Sequence, residues 1–261
     1  MPRLIATSGP GRADARIQAR GFEPVPLAPP PGADVRQGVC AAAQGIAEAL
    51  VSPAAARFAG AVLATRCDQL RRAIDRAAPA FVTPWILLNL PATAGTPAAI
   101  CQEAAELDRL DAFLDALIPG TPSERPAPAS QTPVPDAPGA IRIGLVSCTR
   151  TTADARVVAM LGELGMAVVY EAACCAPAPG MPAIWHRPNA PYFAALADAA
   201  RHHRLRAWVA IQQPWCDLQH AEAPRLKRDL GAPCLVLDTG PSPAMSALRT
   251  RAEAFREMLA P

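Results

Sequence analysis

Apolar positions along the chain follow two patterns, short continuous runs and helical spacing. Runs at residues 141–148 and 166–172 suit buried strands, and the stretch between them has apolar residues at helical spacing before Gly165. The order recurs at the start of the chain in RLIATSG, RADARIQARG and FEPVPLA. Each set predicts a strand–helix–strand unit of a parallel sheet.

A closer internal match surrounds two Cys-Asp pairs. An apolar run precedes Cys67 and another precedes Cys216, and a helical stretch follows each cysteine. The next apolar runs begin at Trp85 and Cys234, each 18 residues after its cysteine. Each half then ends in an amphipathic helix, roughly residues 98–117 and 243–259. The pattern predicts two doubly wound α/β domains related by duplication.

A proline-rich stretch separates the two halves. Seven of the 30 prolines lie in residues 119–139, which contain almost no large apolar side chain. Such a segment is extended and semi-rigid and has little surface to bury. The predicted organisation is an N-terminal domain at 1–118, a linker at 119–139 and a C-terminal domain at 140–261.

Composition and charge narrow the class of protein. A hydrophobic fraction of 51% excludes an intrinsically disordered chain. The net charge of +2 does not suggest a nucleic-acid groove. No apolar run reaches the length of a membrane span, and the first ten residues do not resemble a signal peptide. We therefore expect no nucleic-acid or membrane partner, a cytoplasmic location and reduced cysteines.

Three of the eight cysteines stand where chemistry is expected. Cys67 and Cys216 follow predicted strands, and the carboxyl ends of parallel strands carry functional groups. An aspartate beside each could cap the next helix. Cys40 opens another helical run, and a helix N-terminus favours the thiolate. Three converging thiolates suit an iron–sulfur cluster with one open iron, while packing as small hydrophobes is the alternative.

The other cysteines carry weaker signals. Core packing is the favoured interpretation for Cys101, Cys148 and Cys234, whereas Cys174-Cys175 follows a strand and could approach the cleft between the domains. The chain contains no CxxC motif, which argues against a zinc ribbon or a ferredoxin-type cluster.

Histidines and one glutamate complete the polar candidates. His202 and His203 lie in an arginine-rich helical surface, which predicts a solvated face. His186 falls in a loop and His220 in the helix after Cys216, and neither has a partner at metal-binding spacing. Glu222 is interpreted as a charge on the surface of that helix.

The segments TRCDQLRRAID, WCDLQHAEAPRLKRDLGAPCLVLD and LRTRAEAFREML resemble the 2-hydroxyacyl-CoA dehydratase and benzoyl-CoA reductase family. GFEPVPL and the cysteine after it resemble the start of that family's first domain. Glu222 is similar to a glutamate common in the family's Cys-Asp helix, and a charge on the helix surface is the alternative interpretation. The resemblance implies two flavodoxin-like domains with a [4Fe–4S] cluster between them, held by Cys40, Cys67 and Cys216. It also implies a paralogous larger subunit or a homodimer, an ATP-dependent iron–sulfur activator, and an acyl-CoA substrate reduced to a ketyl radical anion.

The chain also departs from this family. It is shorter, and the proline-rich stretch stands where relatives carry a helical insertion. Two alternatives therefore stay open: a double-cubane-type reductase subunit, or a non-catalytic electron-relay or scaffold paralogue in which the cysteines only pack.

Overall fold

The structure is a computed structural model, and it describes residues 3–9, 11, 13–27, 38–65, 67–93, 95–117, 139–147, 152–173, 184, 187–239 and 244–259. The predicted linker, apart from Gly139, lies outside the described residues. Cys148, Cys174, Cys175 and His186 also lie outside them.

The described residues contain eight strands, which form two four-stranded sheets, and all of the pairings within these sheets are parallel. The first sheet has the order β2-β1-β3-β4 and the second the order β6-β5-β7-β8, which is the same order repeated. The strands are β1 (Arg3–Thr7), β2 (Phe22–Pro26), β3 (Gly60–Ala64), β4 (Trp85–Leu88), β5 (Ile141–Ser147), β6 (Met166–Ala173), β7 (Ala207–Gln212) and β8 (Cys234–Asp238).

Helices connect the parallel strands, as parallel pairing requires. They are α1 (Asp14–Ala19), α2 (Ala41–Val51), α3 (Asp68–Ala77), α4 (Pro97–Ala116), α5 (Thr152–Glu163), α6 (Ala190–His202), α7 (Asp217–Asp229) and α8 (Met245–Leu259). The repeated strand order confirms the predicted fold class, two flavodoxin-like α/β units related by duplication. The predicted strand starts at Trp85 and Cys234 are also confirmed.

Each sheet is covered by apolar side chains from its own helices. In the first, Ile5 and Val62 pack with Ile17 of α1 and Leu110 of α4. In the second, α5 and α8 supply one core cluster, whereas α6 and α7 contact each other. All six residues of β7 are buried, as expected for a central parallel strand covered on both faces.

The described residues divide into two compact units. Unit 1 contains the described residues within 3–27, 42–117 and 187–188, and unit 2 contains the described residues within 38–41, 139–184 and 189–259. Cys40 therefore groups with unit 2, although the sequence assigned it to the domain at 1–118. The predicted domain boundaries themselves stay a prediction.

Candidate functional site

Cys67 and Cys216 occupy the same position in the two units. Cys67 follows β3 and is the N-cap of α3, and Cys216 follows β7 and is the N-cap of α7. The main-chain carbonyl of Cys67 accepts a hydrogen bond from the Arg71 N–H at 3.2 Å, and that of Cys216 accepts one from the His220 N–H at 3.0 Å. Each cysteine thus lies at the carboxyl edge of a sheet and beside the N–H groups of a helix, as the sequence predicted.

The neighbouring aspartates do not cap these helices as expected. Asp68 and Asp217 lie one position further on, inside the first turns. Asp68 forms an ion pair with Arg72 at 2.8 Å. A carboxylate in the first turn still stabilises a helix through the macrodipole, which leaves the N-cap position to the thiol.

Cys40, the third predicted ligand, directly precedes α2 and is 4% exposed. Cys216 is similarly buried at 5% exposure, whereas Cys67 is half-buried. Cys67 belongs to unit 1 and the other two to unit 2, so neither unit by itself holds all three. Within the described part of the chain, no group of three or more His, Cys, Asp or Glu side chains is arranged to hold a metal ion.

A buried polar network holds the turn that carries Cys216. The Gln213 side-chain amide donates to both carboxylate oxygens of Asp154 at 2.8 Å, and Asp154 is fully buried. The Gln213 main-chain N–H donates to Gln219 Oε1 at 2.8 Å, and Gln219 Nε2 donates to the Ile211 carbonyl at 3.0 Å. Sequence reasoning missed these residues, although two consecutive glutamines at the end of an apolar strand are a usable signal.

The same turn contains an unusual backbone conformation. Trp215 has a φ of +64°, in the left-handed region that residues other than glycine rarely adopt. Its side chain is exposed, while the next residue, Cys216, is buried and donates its N–H to the Gln213 carbonyl at 3.2 Å. Because strained residues persist only where their surroundings fix them, the network and the strain together define the position of this thiol.

Glu222 is not the surface charge that the sequence suggested. It is 6% exposed, and its Oε1 accepts a hydrogen bond from Asn189 Nδ2 at 2.8 Å. Arg225 lies 3.7 Å from Glu222 Oε2, donates to Asn189 Oδ1 and covers the Phe193 ring at 3.9 Å. Glu222 therefore links α7 to the start of α6 inside unit 2.

We expect Glu222→Gln to destabilise unit 2 by about 1–2 kcal/mol, because an amide cannot replace the charge beside Arg225 in this buried site. Glu253→Gln is the matched control, because Glu253 is exposed on α8, with an expected change within about 0.5 kcal/mol. Urea denaturation measures the free energy of unfolding of both variants. Equal stabilities for Glu222→Gln and the wild type would contradict a stabilising role for this carboxylate.

The remaining described cysteines differ in their surroundings. Cys234 begins β8 and is half-buried, and desolvation raises the pKa of its thiol to about 12. Its assignment to core packing stays a prediction. Cys101 on α4 is exposed, so the core position predicted for it is wrong. Its position on α4 faces solvent.

This contrast predicts selective alkylation. At pH 8, iodoacetamide should modify Cys101 rapidly, whereas Cys234 should react more than about 100-fold more slowly, since the thiolate is the nucleophile. Peptide mass spectrometry over a time course measures the two rates. In urea, Cys234 should react at the rate of Cys101. Equal rates in the folded protein would contradict the raised pKa of the Cys234 thiol.

The described histidines lie on the surface or near it. His202 is exposed, and Arg201 beside it pairs with Asp198, as a solvated face requires. His203 packs against the Tyr170 ring with centroids 4.9 Å apart. Burial, helped by the charges of His202 and Arg142, lowers the pKa of His203, which favours its neutral form. His220 is exposed on α7.

Comparisons with known proteins add the following findings. No protein-family model and no curated protein sequence matches the chain. Unliganded arylmalonate decarboxylase is 13% identical, with 97% of this chain and 93% of that chain covered and a TM-score of 0.26. Allantoin racemase from Klebsiella pneumoniae is 16% identical, with 99% and 89% covered and a TM-score of 0.26.

A third structure, the inactive β4 tetramer of a split-gene transketolase, is 9% identical, with 98% of this chain and 91% of that chain covered and a TM-score of 0.31. Sequence identities and TM-scores this low do not indicate an activity for this chain. The class that can be stated is the fold itself, a duplicated pair of parallel α/β units. Separately, none of the described helices is long and apolar enough to cross a membrane.

Proposed function

We propose that this chain binds a [4Fe–4S] cluster through Cys40, Cys67 and Cys216. The observation that carries the proposal is the equivalence of Cys67 and Cys216, each the N-cap of the helix that follows the third strand of its unit. A cysteine that only packs in one unit does not require a cysteine at the same position in the other, whereas a shared ligand role requires both. The sequence resemblance adds Cys40.

The donor chemistry of these residues fits such a cluster. Thiolates are the ligands that iron–sulfur clusters use, and helix N–H groups stabilise the anionic sulfur. All three cysteines immediately precede a helix. Burial of Cys40 and Cys216 would also limit the access of water to a bound cluster.

We further propose that the chain is the iron–sulfur subunit of an enzyme of the 2-hydroxyacyl-CoA dehydratase or benzoyl-CoA reductase type. When bound, the cluster would supply one low-potential electron for acyl-CoA thioester reduction and a Lewis-acid iron without a protein ligand. A paralogous larger subunit or a second copy of the chain would complete the enzyme, and an ATP-dependent iron–sulfur activator would deliver the electron.

The residues around Cys216 would act as positioning groups in this function. Gln213 connects the main chain of the turn to buried Asp154, and Gln219 connects it to the end of β7. The turn would therefore need little rearrangement when its thiolate binds iron, because its backbone is already fixed. Preorganisation of this kind is what a ligand site needs from its surroundings.

Iron and sulfide analysis of anaerobically purified and reconstituted protein tests the proposal. We expect about four irons and four sulfides per chain, the content of one [4Fe–4S] cluster. Protein that stays free of iron after reconstitution would contradict the proposal and favour a cluster-free scaffold. A content near eight irons would favour the double-cubane alternative.

A further inference from the structure

A cleft opens within unit 1 at the carboxyl edge of the first sheet. It lies between the ends of β3 and β4 and the first turns of α3 and α4, and its volume is about 470 Å³. Sites for small molecules commonly have volumes of about 300–1,000 Å³. One wall of the cleft is apolar and includes Leu90, Pro91 and Ala98.

Hydrogen bonds from neighbouring residues fix the polar end of the cleft. Thr65 donates its hydroxyl to Asn89 Oδ1 at 3.2 Å. The Asn89 main chain is fixed on both sides, since its N–H donates to Glu106 Oε2 and its carbonyl accepts from Gln102 Nε2, each at 2.9 Å. The Asn89 Nδ2 group donates to no described residue. This leaves a fixed amide donor at the cleft wall.

Arg71 brings a positive charge to the same cleft. It lines the cleft and makes no ion pair with any described residue. The neighbouring charged residues already have partners of opposite charge. Arg72 pairs with Asp68 at 2.8 Å, and the Glu106 carboxylate pairs with Arg109 at 2.7 Å. Within the described part of the chain, no carboxylate therefore pairs with Arg71.

We propose that this cleft binds a small organic acid, with the carboxylate on Arg71 and Asn89 and the carbon chain against Leu90, Pro91 and Ala98. One guanidinium matches one carboxylate and can hold it with two parallel hydrogen bonds. A nucleotide or the phosphates of coenzyme A would bring several negative charges, whereas Arg71 is the one cation among the described residues that line the cleft.

The inference goes beyond the proposed function and does not need the cluster. If the proposed function also holds, Arg71 would bind a second, free carboxylate at the far end of the acyl chain, since the thioester group itself carries no carboxylate. The position of Thr65 and Arg71 on either side of Cys67 in the chain is the reason for linking the two proposals. The binding test below and the iron analysis above use different readouts, so either proposal can fail while the other stands.

Titration of ¹⁵N-labelled full-length protein, followed by amide NMR shifts, tests the site. The probes are propionate, succinate, glutarate and hexanoate, with inorganic phosphate and free coenzyme A as comparison anions. We expect at least one acid to shift the amides of Thr65, Asn89 and Ala98 with saturation. Arg71→Gln should weaken that binding about tenfold or more, a loss corresponding to about 1.4 kcal/mol.

Arg72→Gln is the matched control, because it removes the same charge one residue away while Arg72 already pairs with Asp68. Its affinity should stay within about twofold of the wild type, since a surface pair contributes little. Three results would overturn the inference: no saturable shift with any of the four acids, equal losses for the two arginine variants, or tighter binding of phosphate or coenzyme A than of every acid.

Discussion

Cys67→Ala and Cys216→Ala are each expected to abolish stable iron binding, with the iron content falling from about four to below about one per chain. Each substitution removes one of three proposed thiolate ligands, and two ligands do not hold a cluster of this type against chelation. The half-buried position of Cys67 makes a folding defect in that variant small, so its loss of iron would report the ligand directly. Iron and sulfide analysis after anaerobic reconstitution measures the effect.

Two other cysteines provide matched controls for this result. Cys101→Ala removes an exposed thiol and Cys234→Ala a half-buried one, and neither is a proposed ligand. Both should keep the wild-type iron content. Loss of iron in these controls, or retention in the Cys67 and Cys216 variants, would contradict the assignment. Circular dichroism of all four variants separates ligand loss from unfolding.

Cys40→Ala is a separate test, because Cys40 is proposed as a ligand only from the family resemblance and from its position directly before α2. If Cys40→Ala keeps four irons while the other two variants lose them, the third ligand is another residue. Cys174 and Cys175 are then the next candidates, since they follow a predicted strand and the sequence allows them to approach the predicted cluster site. Loss of iron in Cys40→Ala would complete the three-cysteine set.

The duplicated fold followed from the sequence because parallel sheets leave a strong local signal. Central strands are buried on both faces, so β3 and β7 appear as continuous apolar runs. The equal spacing from Cys67 to Trp85 and from Cys216 to Cys234 then aligned the two units. In each unit, the apolar strand, the cysteine, the helix and the next strand lie within about 40 consecutive residues. Their arrangement therefore depends on short-range connections that the sequence pattern shows directly.

The surroundings of the candidate site were harder to predict, because its contacts join distant parts of the chain. Glu222 lies on a polar helix, and its partner Asn189 is 33 residues away. Gln213 meets Asp154 across 59 residues. Helical periodicity reports only which face of a helix is apolar, so it cannot reveal a carboxylate buried by a hydrogen-bonding partner.

Cys101 illustrates a weaker local signal. Helix α4 contains many alanines, and small residues are tolerated on either face of a helix. The sequence pattern therefore does not distinguish a core position from a solvent-exposed position for a cysteine among these alanines. The cleft beside Arg71 was not predicted either, since a cavity depends on how α3, α4 and two strand ends meet.

Gly144→Ala is expected to destabilise unit 2 by about 2–4 kcal/mol, the upper range for overpacking a core. Gly144 of β5 is the register partner of Trp208 on β7. A Cβ at Gly144 would lie 2.5 Å from two carbons of the Trp208 ring and 2.7 Å from Leu205 Cδ1. Trp208 is fully buried, so its ring has no open space into which to move. Urea denaturation followed by circular dichroism measures the loss.

Gly162→Ala is the matched control, because the same methyl group meets nothing within 4 Å near the end of α5. Alanine also favours the helix, so this variant should gain about 0.5 kcal/mol, opposite in sign to the core variant. Combining Gly144→Ala with Trp208→Phe should cost less than the sum of the two single changes, since the smaller ring relieves the clash. A Gly144→Ala protein as stable as the wild type, or strictly additive costs, would contradict this packing of β5 against β7.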